Sequence, residues 1–119
     1  MSSAPLAVVT GGARGIGEAT VRRFAGQGHA VAVLDLNRER GEVLARELGP
    51  ASVRFHECDV ADAAQVDAVA AQLLQDFGPA EVLVTSAAMI PNTAPVLDMD
   101  LVAHDRMWPV NYHGTLHAC

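Results

Sequence analysis

The chain has 119 residues, room for one domain with a real core but well short of the roughly 250 common in one-piece α/β enzymes. Half of its residues are hydrophobic, 4% aromatic and 18% charged, a profile that excludes a disordered chain. The formal charge of −6 comes with eight scattered Arg, no Lys and no basic cluster, which argues against nucleic acid or an anionic membrane as a partner.

Leu6–Thr10 is an apolar run entering glycines, and the MSSAP before it lacks the positive segment of a signal peptide. Unbroken by polar alternation, it reads as a parallel strand buried on both faces, as does Ala30–Leu34. Between them Ile16, Thr20 and Phe24 share one helix face, with Gly28 as the C-terminal stop. A second helix is expected over Asn37–Leu48, with Val43, Leu44 and Leu48 inward and Gly49-Pro50 as terminator. Ser52–Glu57 is the third candidate strand. In the third helix Val66, Ala70, Leu73 and Phe77 recur at helical spacing after Asp62, a candidate N-cap, and Gly78-Pro79 ends it. Val82–Thr85 is the fourth strand, and Ala88–Asp98, with two prolines, reads as a loop leading to a final helix. This alternation predicts an α/β fold, a doubly wound parallel sheet of Rossmann type, with 1–119 as a single domain. No stretch approaches membrane-spanning length.

Thr10–Gly17, TGGARGIG, follows the first strand and opens the first helix, the setting a phosphate-binding turn requires. Gly11 and Gly15 permit a tight turn and close approach of a pyrophosphate, and Gly17 lets the helix pack near the strand. Ala13, Arg14 and Ile16 join them as candidate cofactor contacts. Asp35 follows Gly17 by 18 residues, close to the ~20 expected of an acid that accepts hydrogen bonds from an adenosine ribose, with Leu36 beside it. Its carboxylate would repel a 2′-phosphate, so NAD is favoured over NADP, while Arg14 keeps NADP open. Taken alone, Asp35 reads better as a solvated strand-end acid or a helix cap than as a ribose acceptor; the glycine loop reverses that ranking.

With the pattern Thr-Gly-x-x-x-Gly-x-Gly met by Thr10, Gly11, Gly15 and Gly17, the sequence resembles the short-chain dehydrogenase/reductase family over essentially its whole length, as that family's N-terminal, cofactor-binding half. The resemblance implies that Asp59 and Val60, after the third strand, hold the adenine. Where the family has Asn-Asn-Ala-Gly, this chain has Thr85-Ser86-Ala87-Ala88. Ser86, Ala87 and Ala88 take that place near the nicotinamide, although Ala88 adopts positive φ less cheaply than Gly. Asn111, in Val-Asn-Tyr-x-Gly-Thr, is similar to the family's catalytic Asn, which helps organise a water linking to the active-site Lys. A buried Asn also suits a helix disturbed by Pro109, where freed backbone groups need partners.

The reaction implied by the resemblance is hydride transfer between nicotinamide and a small alcohol or carbonyl substrate, with a Tyr, assisted by Lys and Ser, exchanging the proton. Tyr112 does not fit that motif, because Leu116 stands where the Lys would be. The Ser and the Tyr-x-x-x-Lys pair normally lie beyond position 119, so the chain reads as the first half of a longer domain. His113 and His117, at i and i+4, are two ligands and not a metal site, and His104 lies about 180° around the helix from His113. Cys58 and Cys119 have neither a disulfide nor a zinc spacing, which fits a reducing, cytoplasmic setting. The fourth strand is expected to leave an apolar edge, and the resemblance implies a homo-oligomer paired through the final helix. Two alternatives stay open: a catalytically silent nucleotide-binding fragment, and another Rossmann enzyme such as a methyltransferase using S-adenosylmethionine, which does not account for Asn111.

Overall fold

In the computed structural model, which describes residues 4–90 and 94–119, the first apolar run forms strand β1 (Leu6–Thr10) and the glycine loop opens helix α1 (Gly15–Gly26). There follow β2 (Ala30–Asp35), α2 (Arg38–Leu48), β3 (Val53–Glu57), α3 (Ala63–Phe77) and β4 (Val82–Thr85). A 3-10 turn at Val96–Asp98 leads to α4 (Leu101–Met107), a π-helical segment at Trp108–His113, and α5 (Gly114–Ala118). Pro91, Asn92 and Thr93, within the expected loop, lie outside the described residues.

The four strands are all parallel, in the order β3-β2-β1-β4, so the chain reverses its direction of winding between β3 and β4. Every residue of β1 is buried, and the strand's two faces feed two separate cores. Leu6 and Val8, with Ala30, Ala32 and Leu34 of β2, pack against Val66 and Leu73 of α3. Val9, Val31 and Val33 face the other way, toward Val21 of α1 and Leu44 of α2. Continuous apolar runs are what strands covered on both faces require. Fully burying each Val or Leu among them stabilises by about 1.5–3 kcal/mol. At one end of the described sheet β4 is an edge strand, and its own Leu83 is 39% exposed.

Three expected faces are corrected. The inward side of α1 centres on Val21 with Phe24, whereas Ile16 is 81% exposed and points into the cleft described below. In α2, Val43 is half-exposed; of the three expected residues Leu44 and Leu48 face the core, with Ala45 beside them. At about 100° per residue, positions 41, 44, 45 and 48 share one stripe, and Val43 lies roughly 150° from its centre. Gly41 joins Leu44 on that stripe because Phe55 of β3 fills the space where a Cβ would stand. In α3 the buried residues are Val66 and Leu73, and Ala70 is exposed.

Helix ends follow the sequence closely. Asn37 caps α2 by accepting the Arg40 N–H, and Asp62 caps α3 by accepting those of Ala64 and Gln65. Gly28, Gly49 and Gly78 all take positive φ just past their helices, as stop residues should. Pro109 has no N–H for the α-helical ladder, and the helix answers by widening: the Gly114 N–H bonds the Pro109 carbonyl, five residues back.

Candidate cofactor cleft

Along the carboxyl edge of the sheet, where β1 and β4 part, lies a cleft of about 610 Å³. Gly11, Arg14, Gly15, Ile16, Asp35, Leu36, Asp59, Val60, Ser86, Ala87 and Ala88 all line it. Ala13 and Gly17, the other two expected contacts, sit behind that surface and shape it.

The glycine turn is shaped by close approach. Gly11, at φ +67, lies so near the loop after β4 that a Cβ would stand 2.6 Å from the Ala87 Cα. At Gly17 a Cβ would be driven into the Gly11 carbonyl oxygen. Gly15 has φ +59 and open space around it, so it answers to conformation alone. Whereas side chains cap α2, α3 and α4, α1 begins at Arg14 with no side-chain cap. Its first-turn amides have no side-chain acceptor, and together with the helix dipole they form a place suited to an anion.

Asp35 faces this turn from the end of β2. One carboxylate oxygen accepts the Ala13 N–H at 3.1 Å and the other the Asn37 N–H at 2.9 Å. Arg40 holds the opposite side of the Ala13 peptide, its Nε donating to the Ala13 carbonyl at 3.2 Å. Each carboxylate oxygen retains capacity to accept a further hydroxyl.

At the third strand's end Asp59 turns one oxygen to the Ala61 N–H (2.9 Å), and its own N–H donates to Gln65 Oε1 (2.9 Å). Cys58 lines the floor; burial first, then the carboxylates of Asp59 and Asp62, push its thiol above the ordinary value, so it stays uncharged. The Val60 side chain nests against Gly114 of α5.

Thr10, 2% exposed, ties β1 to the loop after β4: its hydroxyl accepts the N–H groups of Ser86 and Ala87, both at 3.2 Å. The substitution of Gly by Ala88 causes no strain, since among the described residues only glycines have positive φ. Asn111 lies on the π-helical segment with its amide engaged twice, Oδ1 accepting the Met89 N–H (2.7 Å) and Nδ2 donating to the Met89 carbonyl (3.0 Å). Half-buried, it grips the backbone of the loop after β4 and not the groups freed near Pro109 that a buried Asn was expected to satisfy.

Sequence reasoning missed five lining residues: Leu34, Asn37, Cys58, Ile90 and Val110. Their sequence signal is adjacency to a strand end or to Asn111, and for Ile90 its place in the Ala88–Asp98 loop. His113 and His117 stack at 6.3 Å, and among the described residues no group of three or more His, Cys, Asp or Glu is placed to hold a metal ion. No helix among them is long and apolar enough to cross a membrane.

A parallel sheet with a switch in winding direction, and a cleft at its carboxyl edge bounded by a glycine turn, define a Rossmann-type architecture. Residues 5–119 match the family described as short chain dehydrogenase. The chain belongs to that family of oxidoreductases, whose members bind nicotinamide cofactors. It is 37% identical over 110 residues to a sorbitol dehydrogenase of Cereibacter sphaeroides, covering 92% of this chain and 42% of the relative. With a D-threitol dehydrogenase of Mycolicibacterium smegmatis it shares 40% identity over 116 residues, covering 96% and 44%. The fold matches a crystal structure of a 3-ketoacyl-ACP reductase from Sinorhizobium meliloti with a TM-score of 0.87 at 31% identity, over 96% of this chain and 46% of that one. The chain thus spans less than half the length of these relatives.

Proposed function

We propose that this chain, as a single unit over 1–119, is the NAD-binding portion of an oxidoreductase that moves hydride between nicotinamide and the alcohol or carbonyl carbon of a small molecule. The observation that carries this reading is the uncapped start of α1 opening into the same cleft as the Asp35 carboxylate. One suits a pyrophosphate and the other a ribose diol. Bound there, the nicotinamide supplies the site that accepts or donates hydride.

The chain's own residues bind and orient. Gly11, Arg14, Gly15 and Ile16 border the pyrophosphate, with Ala13 and Gly17 shaping the turn behind them. Asp35, with Leu36 beside it, accepts from an unphosphorylated adenosine ribose. Its charge disfavours a 2′-phosphate, which makes NAD the preferred cofactor over NADP. Asp59 and Val60 receive the adenine, and Ser86, Ala87 and Ala88 lie toward the nicotinamide end. Asn111 fixes the loop at Met89. The sequence contains no Lys, so these residues supply cofactor binding while proton transfer by a Tyr/Lys pair falls outside this sequence; the same fact favours a catalytically silent role for the chain by itself. Exposed Trp108 and Tyr112, packed edge to face, support pairing with a second copy, and the free thiols of Cys58 and Cys119 support a cytoplasmic setting.

Titration of NADH and NADPH into wild type and Asp35→Ala tests the proposal. Losing a charged acceptor weakens NADH by about ten-fold or more. Loss of the Ala13 and Asn37 bonds loosens the turn for both cofactors, so the difference between them is the readout. NADPH should lose far less than NADH; an equal loss refutes the ribose assignment.

A further inference from the structure

We propose that His117 is a positioning residue for the adenine end of the cleft, acting through Val60; this rests on the cofactor reading above. His117 Nδ1 lies 2.7 Å from the Val60 carbonyl oxygen, across 57 residues of sequence. A carbonyl only accepts, so Nδ1 carries the proton. One turn earlier on the same helix face, Gly114 leaves space that the Val60 side chain fills: a Cβ there would stand 2.6 Å from Val60 Cγ2.

The final helix therefore holds Val60 by its carbonyl and by its side chain, while Val60 itself lines the cleft next to Asp59. The rest of that loop is tied to the start of α3: the Asp62 N–H donates to the Asp59 carbonyl at 3.0 Å, and Gln65 accepts the Asp59 N–H. Two elements thus fix the two sides of a two-residue site. Without the His117 bond the Val60–Ala61 peptide keeps the hydrogen bond from its Ala61 N–H to the Asp59 carboxylate, so peptide and carboxylate shift together relative to the base that Asp59 faces.

Such a role differs measurably from a contact that only stabilises the fold. A stabilising contact, once lost, lowers the melting temperature and affects every ligand alike. A positioning contact changes which base is preferred. Nicotinamide hypoxanthine dinucleotide carries a ring carbonyl where NADH carries the amino group that Asp59 would accept.

The experiment titrates NADH and the reduced hypoxanthine analogue into the 119-residue chain as wild type, His117→Leu, His117→Asn and His117→Gln, with thermal melts of each. His117→Leu is expected to weaken NADH about three- to ten-fold and the analogue less, so the preference for adenine falls. His117→Asn, whose amide nitrogen stands where Nδ1 stands, restores that preference, and the longer His117→Gln does not. If His117→Leu does not fold, the Asn and Gln variants decide: unequal preference supports the proposal and equal preference overturns it. Unchanged NADH affinity in a folded His117→Leu, or an equal loss for both ligands, overturns it while leaving the cleft assignment standing. A wild-type chain that binds no NADH overturns the cleft assignment and this inference with it.

Discussion

Replacing Thr10 by Val tests the claim that one buried hydroxyl joins the two sides of the cleft. Val has nearly the same shape, so the substitution removes an acceptor without opening a cavity. Two N–H groups lose that acceptor, but not equally. Ser86 also donates to the Thr10 main-chain carbonyl at 3.1 Å and keeps that bond, whereas Ala87 bonds the hydroxyl alone among the contacts of this loop. The cost is therefore one weakened bond plus one unpaired amide. An unsatisfied buried amide costs about 1–3 kcal/mol. Ala87 is only half-buried, so water recovers part of this and the expected loss is about 1–2 kcal/mol. For a chain of this size that corresponds to roughly 3–8 °C in melting temperature. Urea and thermal unfolding of wild type, Thr10→Val and Thr10→Ser measure it. Thr10→Ser retains the oxygen and loses one methyl, so it should lie closer to wild type. A Thr10→Val protein as stable as wild type, or a Thr10→Ser protein harmed as much as Thr10→Val, would refute the reasoning.

Gly17→Ala should abolish NADH binding and destabilise the fold by more than the ~1–3 kcal/mol typical of overpacking, because its Cβ meets the rigid Gly11 carbonyl and not a flexible side chain; near-native melting would contradict the placement of the turn. His56 is held below its ordinary 6.5, by burial first and then by the Arg54 guanidinium. A depressed folded value means that the unfolded chain takes up the proton first as pH falls, so this contribution is intact above about 6.5 and is lost below it. Urea midpoints between pH 8 and pH 5 should fall more steeply for wild type than for His56→Gln, and parallel curves would dismiss His56 as the cause.

The parts of this cleft that were legible in the sequence are those where a residue type answers a local demand. A turn pressed against the loop after β4 needs Gly11 whatever the distant context, and the start of α3 needs Asp62 within three residues. β1 and β2 were legible because burial on both faces leaves mostly apolar residues. The π-helical segment was half-legible: Pro109 announced a missing donor but not which carbonyl would be rebonded. Val43 and Ala70 were misread because a helical repeat gives the direction of a stripe and not its width, which Phe55 and the neighbouring helices decide.

What the sequence hid has a common cause. Thr10 reaches Ser86 and Ala87, Asp35 reaches Ala13, Asn111 reaches Met89 and His117 reaches Val60, over 76 and 77, 22, 22 and 57 residues respectively. In each case one side chain grips the backbone of another loop, so the partner's residue type leaves no trace in the sequence. Parallel strands make this arrangement necessary. Their carboxyl ends emerge side by side with no hairpins between them, and the loops leaving them have no ladder of their own. Side-chain ties across the gaps satisfy those backbone groups and set the cleft's width together. A substitution at any of the four should therefore disturb its neighbours' contribution to binding as well as its own, and double-mutant cycles between Thr10 and Asn111, which hold the same loop, should show coupling that Thr10 and His117 lack.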